Sequence, residues 1–155
     1  MFDAAEILSD EGNGASDGLC VNMIFCRQEG TPLFHNIEVA PPTETGSKES
    51  QMSVLTLSQG EPLIHCNKFL RLKTKVSDNL PLWSSNHRHA MLSLLPRVES
   101  VSNVVNILGD QSDLVFSFYR DGSGGKDDAR TVAVGIFNIH KRTWAIYTKN
   151  PKNPV

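Results

Sequence analysis

Residues Phe69 to Val76 alternate with period two, and this alternation limits the local fold more than any other stretch of the chain. Leu70, Leu72, Thr74 and Val76 fall on one side; Phe69, Arg71, Lys73 and Lys75 fall on the other. Successive side chains of a strand point to opposite faces, so the pattern predicts a strand with one core face and one cationic face. Lys68 stands at its start, and Asp78-Asn79-Leu80-Pro81 supplies the turn chemistry that ends it.

Around that strand the chain organises itself by pattern. Residues 9–18 are small, polar and acidic and cannot bury enough surface to offset their ordering entropy. Leu19 to Phe25 is a short, mostly apolar run that fits a strand. Ala40 to Gln51 is loose again, with Pro41, Pro42 and Gly46. The expectation is therefore an acidic, flexible arm over residues 1–50 and a globular domain over 51–155.

Within that domain, Val54, Leu55 and Leu57 read as a strand cut short by Gly60 and Pro62. Ser84 or Ser85 offers an N-cap for a helix carrying Ala90, Met91, Leu94 and Leu95. Pro96 cannot continue that helix but can open another, whose stripe is Val98, Val101, Val104, Val105 and Leu108. Gly109 is a fitting stop. Leu114 to Tyr119, Thr131 to Ile139 and Thr143 to Thr148 read as strands, the last two joined at His140-Lys141-Arg142. A strand, two helices and an antiparallel meander argue for an α+β fold.

Composition narrows the class. The chain has 155 residues, 39% hydrophobic and 21% charged, which is ordinary for one globular domain. No run approaches the length of a transmembrane helix. The first 30 residues are acidic, the opposite bias to a secretory or transit signal. Phe2 stands where myristoylation requires glycine, and no prenylation box closes the sequence. Three cysteines, Cys20, Cys26 and Cys66, are too few for a disulfide framework and point to a reducing compartment. The net charge of −2 hides a contrast: residues 1–66 hold ten acids and two bases, and residues 67–155 hold seven acids and thirteen bases. That contrast suggests an acidic arm on a basic body.

Motifs for chemistry are weak. Gly122-Ser123-Gly124-Gly125-Lys126 lacks the Ser/Thr and the following helix of a phosphate loop, and its aspartates do not match a calcium ladder. His87 and His89 are two apart and do not share a helical face, so they make a poor metal pair. No Ser/His/Asp or Cys/His set stands out by spacing. The expectation is a protein that is not an enzyme and needs no cofactor or metal. The basic residues Lys68, Arg71, Lys73, Lys75, Lys141 and Arg142 instead suggest a patch for anionic lipid or phosphate. Few aromatics accompany them, which argues against sequence-specific nucleic-acid recognition.

Lys68-Phe69-Leu70-Arg71-Leu72-Lys73-Thr74-Lys75-Val76 with Asn79-Leu80-Pro81-Leu82 resembles the first core strand of the rhabdovirus matrix protein family. Ile37 to Glu44, with Ala40-Pro41-Pro42, resembles that family's arm; Leu114 to Asp121 and Val134 to Tyr147 resemble its late strand and closing hairpin. The resemblance implies a twisted antiparallel sheet packed against two helices after a flexible arm. It implies a structural protein that self-associates through the arm segment around Val39, Pro41 and Pro42. The basic face would then bridge the viral nucleocapsid and an anionic inner membrane leaflet during assembly and budding. Its place would be the virion, the host cytoplasm and the inner face of host membranes, with the host nucleus open to it. The alternative is a small viral accessory protein of matrix-like fold that binds host proteins and interferes with host gene expression or innate signalling. Three departures favour the alternative: Pro41-Pro42-Thr43-Glu44 lacks the tyrosine of the budding motif, the arm is acidic where the family has a lysine cluster, and the chain is short for the family; the basic face keeps the structural reading first.

Overall fold

The computed structural model of the protein describes residues 7–8, 18–25, 33–44, 47, 49–73, 80–123 and 129–153. Its contacts divide the chain into two units, residues 1–63 with 68–77 and residues 64–67 with 78–155. This differs from the expected division at residue 50. The class is α+β, built from two small antiparallel sheets and two helices.

The first unit is a three-stranded sheet of β1 (Leu19–Phe25), β2 (Leu33–Ala40) and β3 (Gln51–Leu57), with β2 in the centre. Leu19 pairs with Val39 and Phe25 with Leu33; Phe34 pairs with Leu57 and Ala40 with Gln51. Much of what the sequence presented as a loose arm is therefore sheet. β2 is buried from His35 to Ala40. On one face Ile37 and Val39 form the core, with Leu8, Met23 and Met52 packed against them. His35 shares that side, its Nδ1 2.8 Å from the Thr56 hydroxyl and its ring edge-on to Phe25.

The opposite face of β2 is buried and polar. Register sets Cys20, Glu38 and Ser53 in one row and Asn22 beside Asn36 in the next. Asn36 Nδ2 donates to Asn22 Oδ1 at 2.9 Å. A buried polar face needs partners for every group, and the segment from Lys68 to Lys73 provides them. The amides of Leu70, Arg71 and Leu72 all donate to the Glu38 carboxylate, at 2.7, 2.9 and 3.0 Å. The Arg71 guanidinium donates to the side-chain oxygens of Asn36 and Ser53 and to both of their carbonyls.

This corrects the predicted strand at Phe69 to Val76. Three successive amides point at one carboxylate, so they cannot form a ladder with a neighbouring strand. Residues 69–73 are irregular, and 74–79 lie outside the described residues. Gly18 takes φ +85, and a Cβ there would stand 2.3 Å from the Phe69 ring, so glycine is required both by the turn and by the ring packed on it.

The second unit holds α1 (Leu80–Ser93), α2 (Val101–Leu108) and a hairpin of β4 (Val134–Asn138) and β5 (Thr143–Tyr147). α1 begins before the predicted serine cap, so Ser84 and Ser85 lie inside the helix. α2 is capped by Ser100, whose hydroxyl accepts from the Asn103 amide at 3.1 Å, and Gly109 closes it with an N–H to the Val105 carbonyl at 2.9 Å. Pro96 sits in the connection and opens no helix. The expected strand from Leu114 to Tyr119 is a series of turns and bends, because the Asp113 carboxylate takes the amides of Val115 and Phe116 at 2.8 Å. No helix among the described residues is long and apolar enough to cross a membrane.

Burial alone would raise the pKa of Glu38, but the Leu70, Leu72 and Arg71 amides and the Arg71 charge outweigh it and hold the group below its usual range. Its contribution is therefore complete above the ordinary carboxylate range and is lost as acid takes the solution through the lowered value. Glu38→Ala leaves three part-buried amides without their acceptor and the Arg71 guanidinium without its counter-charge; the expected loss is about 3 kcal/mol. Urea unfolding at pH 7 checks this, and a loss under 1 kcal/mol would show that water replaces the carboxylate.

Candidate functional site

In the second unit a set of polar side chains gathers around Asn67. α1 places Ser84 and Ser85 inward, at 1% and 0% exposure, although serines in a helix usually sit at caps or on the surface. The Ser85 hydroxyl donates to the Asn67 backbone carbonyl at 3.1 Å. Arg88, one turn further along α1, donates to Asn67 Oδ1 at 3.2 Å and reaches the hydroxyls of Ser84 and Ser85 at 3.4 and 3.5 Å. From the other side Arg120 donates to Ser84 Oγ at 2.5 Å and to the Ser117 carbonyl at 3.4 Å. Both oxygens of Asn67 are thus occupied by donors.

That occupancy fixes the Asn67 amide. With Oδ1 accepting from Arg88, the carboxamide NH2 is turned the other way, and the residue is exposed. Among the described residues no acceptor engages that NH2. An oriented N–H donor backed by the Arg88 guanidinium suits an oxygen on which negative charge develops, as in attack on a carbonyl.

His87 lies on the same face of α1 as Ser84, three residues on. Its Nε2 stands 2.5 Å from Asp113 Oδ2, and its ring packs against Phe116 with centroids 5.5 Å apart. The Asp113 carboxyl is held down to about 2, first by the Phe116 amide, then by His87 and the Val115 amide, against an opposing contribution from burial.

In the first unit the Cys20 thiol lies within 4.8 Å of a Glu38 carboxylate oxygen. Burial, and next the Glu38 charge, push its pKa up to about 11 against the opposing pull of Arg71. A thiol so held stays protonated at neutral pH, the reverse of an activated nucleophile.

The residues predicted as a basic face are divided between the two units. Arg71 is turned into the polar layer of the sheet, its guanidinium 3.7 Å from Glu38. Lys68 is half-buried, Lys73 is exposed, and Lys75 lies outside the described residues. Lys141 and Arg142 are exposed at the hairpin turn and belong to the second unit. Of the predicted self-association segment, Val39 is wholly buried in the core, and Pro41 and Pro42 are half-buried. Cys26 also lies outside the described residues. Asn67, Ser84, Arg88 and Arg120 were not singled out by spacing, because they are scattered over 54 positions and joined only by the fold.

The chain belongs to the acyl-coenzyme A:6-aminopenicillanic acid acyl-transferase family, whose model matches residues 1–153. It is 30% identical over 149 residues to the beta-alanyl-dopamine/carcinine hydrolase of Drosophila melanogaster, a match that covers 96% of this chain. The chain spans 38% of the length of that relative. No solved structure matches.

This membership overturns the resemblance to a rhabdovirus matrix protein and, with it, both viral roles, structural and accessory. It removes the nucleocapsid and membrane as partners. It also corrects the expectation that the protein is not an enzyme: the family is named for acyl transfer and the relative for hydrolysis.

Cys20 supplies a direct check on the electrostatics. At pH 8 its alkylation should run roughly a hundredfold slower than that of an ordinary exposed cysteine, and the rate should keep rising toward pH 11. Peptide-resolved mass spectrometry after iodoacetamide measures this, and an ordinary rate at pH 8 would contradict the placement beside Glu38.

Proposed function

We propose that this chain forms the carbonyl-binding part of a site that cleaves or transfers an acyl group held in an amide. The family name gives acyl transfer, and the relative's name gives hydrolysis of a compound in which a β-alanyl group is joined to the amine of dopamine. Cleaving such a bond passes through a tetrahedral oxyanion that needs fixed hydrogen-bond donors. The observation that carries the reading is the Asn67 carboxamide, oriented by Arg88 at Oδ1 and by Ser85 at the backbone carbonyl.

The roles follow from the geometry. Asn67 presents its NH2 to the substrate oxygen. Arg88 holds that amide in one orientation and adds positive charge behind it. Arg120 locks Ser84, so the arginines converge on one buried hydroxyl and stay in place as charge develops. Such preorganised donors cost no reorganisation during reaction, which is the source of their effect. Cys20 has no nucleophilic role in this scheme, because its thiol is held protonated. The substrate class that fits is a small acyl amide of an amine, with β-alanyl-dopamine as the first probe.

Asn67→Ala should lower kcat on β-alanyl-dopamine by about a hundredfold to a thousandfold, the range for loss of one oxyanion donor. KM should change little, because the interaction is made chiefly in the transition state. Dopamine release followed electrochemically reads both constants. Unchanged kcat in Asn67→Ala would overturn the assignment.

A further inference from the structure

The segment from Asp113 to Arg120 meets α1 at two points, one helical turn apart. At the first, Asp113 Oδ2 stands 2.5 Å from His87 Nε2. At the second, Arg120 donates to Ser84 Oγ. The stretch between them has no strand ladder to hold it. Its order comes from Asp113 Oδ1, which takes the amides of Val115 and Phe116, from the Ser117 hydroxyl on the Tyr119 carbonyl at 2.7 Å, and from the Tyr119 amide on the Asp110 carbonyl at 3.0 Å. Beyond it, the Arg120 backbone is tied to Thr131 at 2.8 and 3.0 Å.

We propose that His87 and Asp113 are a positioning pair: they pin this segment to α1 and thereby hold the Arg120 guanidinium on Ser84, behind Arg88 and the Asn67 amide. The proposal rests on the reading of Asn67 given above and deepens it.

Three features support it. Asp113 gives its two oxygens different tasks, one shaping the turn and the other reaching the helix, so the turn and the anchor share one side chain. Among the described residues Asp113 is the charged group in contact with His87, and the Phe116 ring against the imidazole covers the bond from one side. Ser84 and His87 lie three apart on α1, so fixing one end of the segment at His87 sets where Arg120 arrives. Ser84 is almost wholly buried, so its hydroxyl is reached by Arg120 only from a defined position.

The test follows the Arg120 Nη2 proton that is donated to Ser84, by proton–nitrogen NMR in the whole chain, with the resonance assigned by its loss in Arg120→Lys. His87→Ala should speed exchange of that proton about tenfold, because the segment opens locally without its anchor. His87→Gln, which keeps a side-chain N–H able to reach Asp113, should restore slow exchange. Should His87→Ala fail to fold, Asp113→Asn serves; it keeps an acceptor for the turn amides, removes the charge, and should move exchange in the same direction. On β-alanyl-dopamine, His87→Ala should lower kcat about tenfold with KM held, and His87→Gln should recover it. Unchanged Arg120 exchange in both His87→Ala and Asp113→Asn would overturn the pair's role and leave the Asn67 reading standing. Full activity in Asn67→Ala together with fast Arg120 exchange in His87→Ala would overturn the Asn67 reading and uphold the brace.

Discussion

One carboxylate organises the first unit. Glu38 is wholly buried in the central strand, where an unpaired charge would be prohibitive. Its survival there requires donors, and the chain brings three consecutive amides and a guanidinium to it. The consequences spread outward. Residues 69–73 leave the strand conformation that their alternation favours. Arg71 turns inward and satisfies Asn36 and Ser53. Cys20, one strand over, is kept protonated by burial and then by its negative neighbour. Removing the carboxylate would strand all of these groups together, so the layer is cooperative in the sense that buried polar networks usually are.

The second unit uses the same principle for a different end. Two buried serines on α1 replace apolar residues that the helix would otherwise pack inward, and each finds a donor or acceptor outside its own helix. Arg88 and Arg120 converge on the buried Ser84 hydroxyl, and Asn67, the residue proposed to meet a substrate oxygen, is held at both of its carbonyls. The proposed role draws on dipoles that are already aimed, which favour a transition state over a substrate. Such a site also explains polar residues where burial would favour leucine.

Much of the fold was legible where local chemistry and tertiary demand agree. Leu19 to Phe25 is a strand at the residues its apolar run marks. The valine stripe of α2 ends at Gly109 as its chemistry predicts, and the hairpin turns at His140 to Arg142. Legibility failed where a long-range polar partner decides. The cleanest alternation in the chain, Phe69 to Val76, is a strand pattern whose amides Glu38 captures from 32 to 34 positions away. The lysines and arginine of that stretch look solvent-facing in any strand, yet Arg71 lies in the sheet's polar layer. The matrix-like resemblance leaned on that same stretch and on Pro41-Pro42, patterns that many folds produce. The site was illegible for a related reason: Ser84-Ser85 reads as a cap, and nothing in the spacing links it to Asn67 or Arg120. The usable signal was the pair of serines placed four and three residues before Arg88, a helix face with hydroxyls and a cation on one side.

The dependence of the first unit on Glu38 can be measured at the amides themselves. Hydrogen exchange at Leu70, Arg71 and Leu72 reports whether one acceptor holds all three. The structure predicts slow exchange at neutral pH despite the absence of a strand ladder, and a joint loss of protection at all three amides in Glu38→Gln, with the β1 to β3 ladder still protected. Fast exchange in the native chain, or protection that survives loss of the carboxylate, would contradict it.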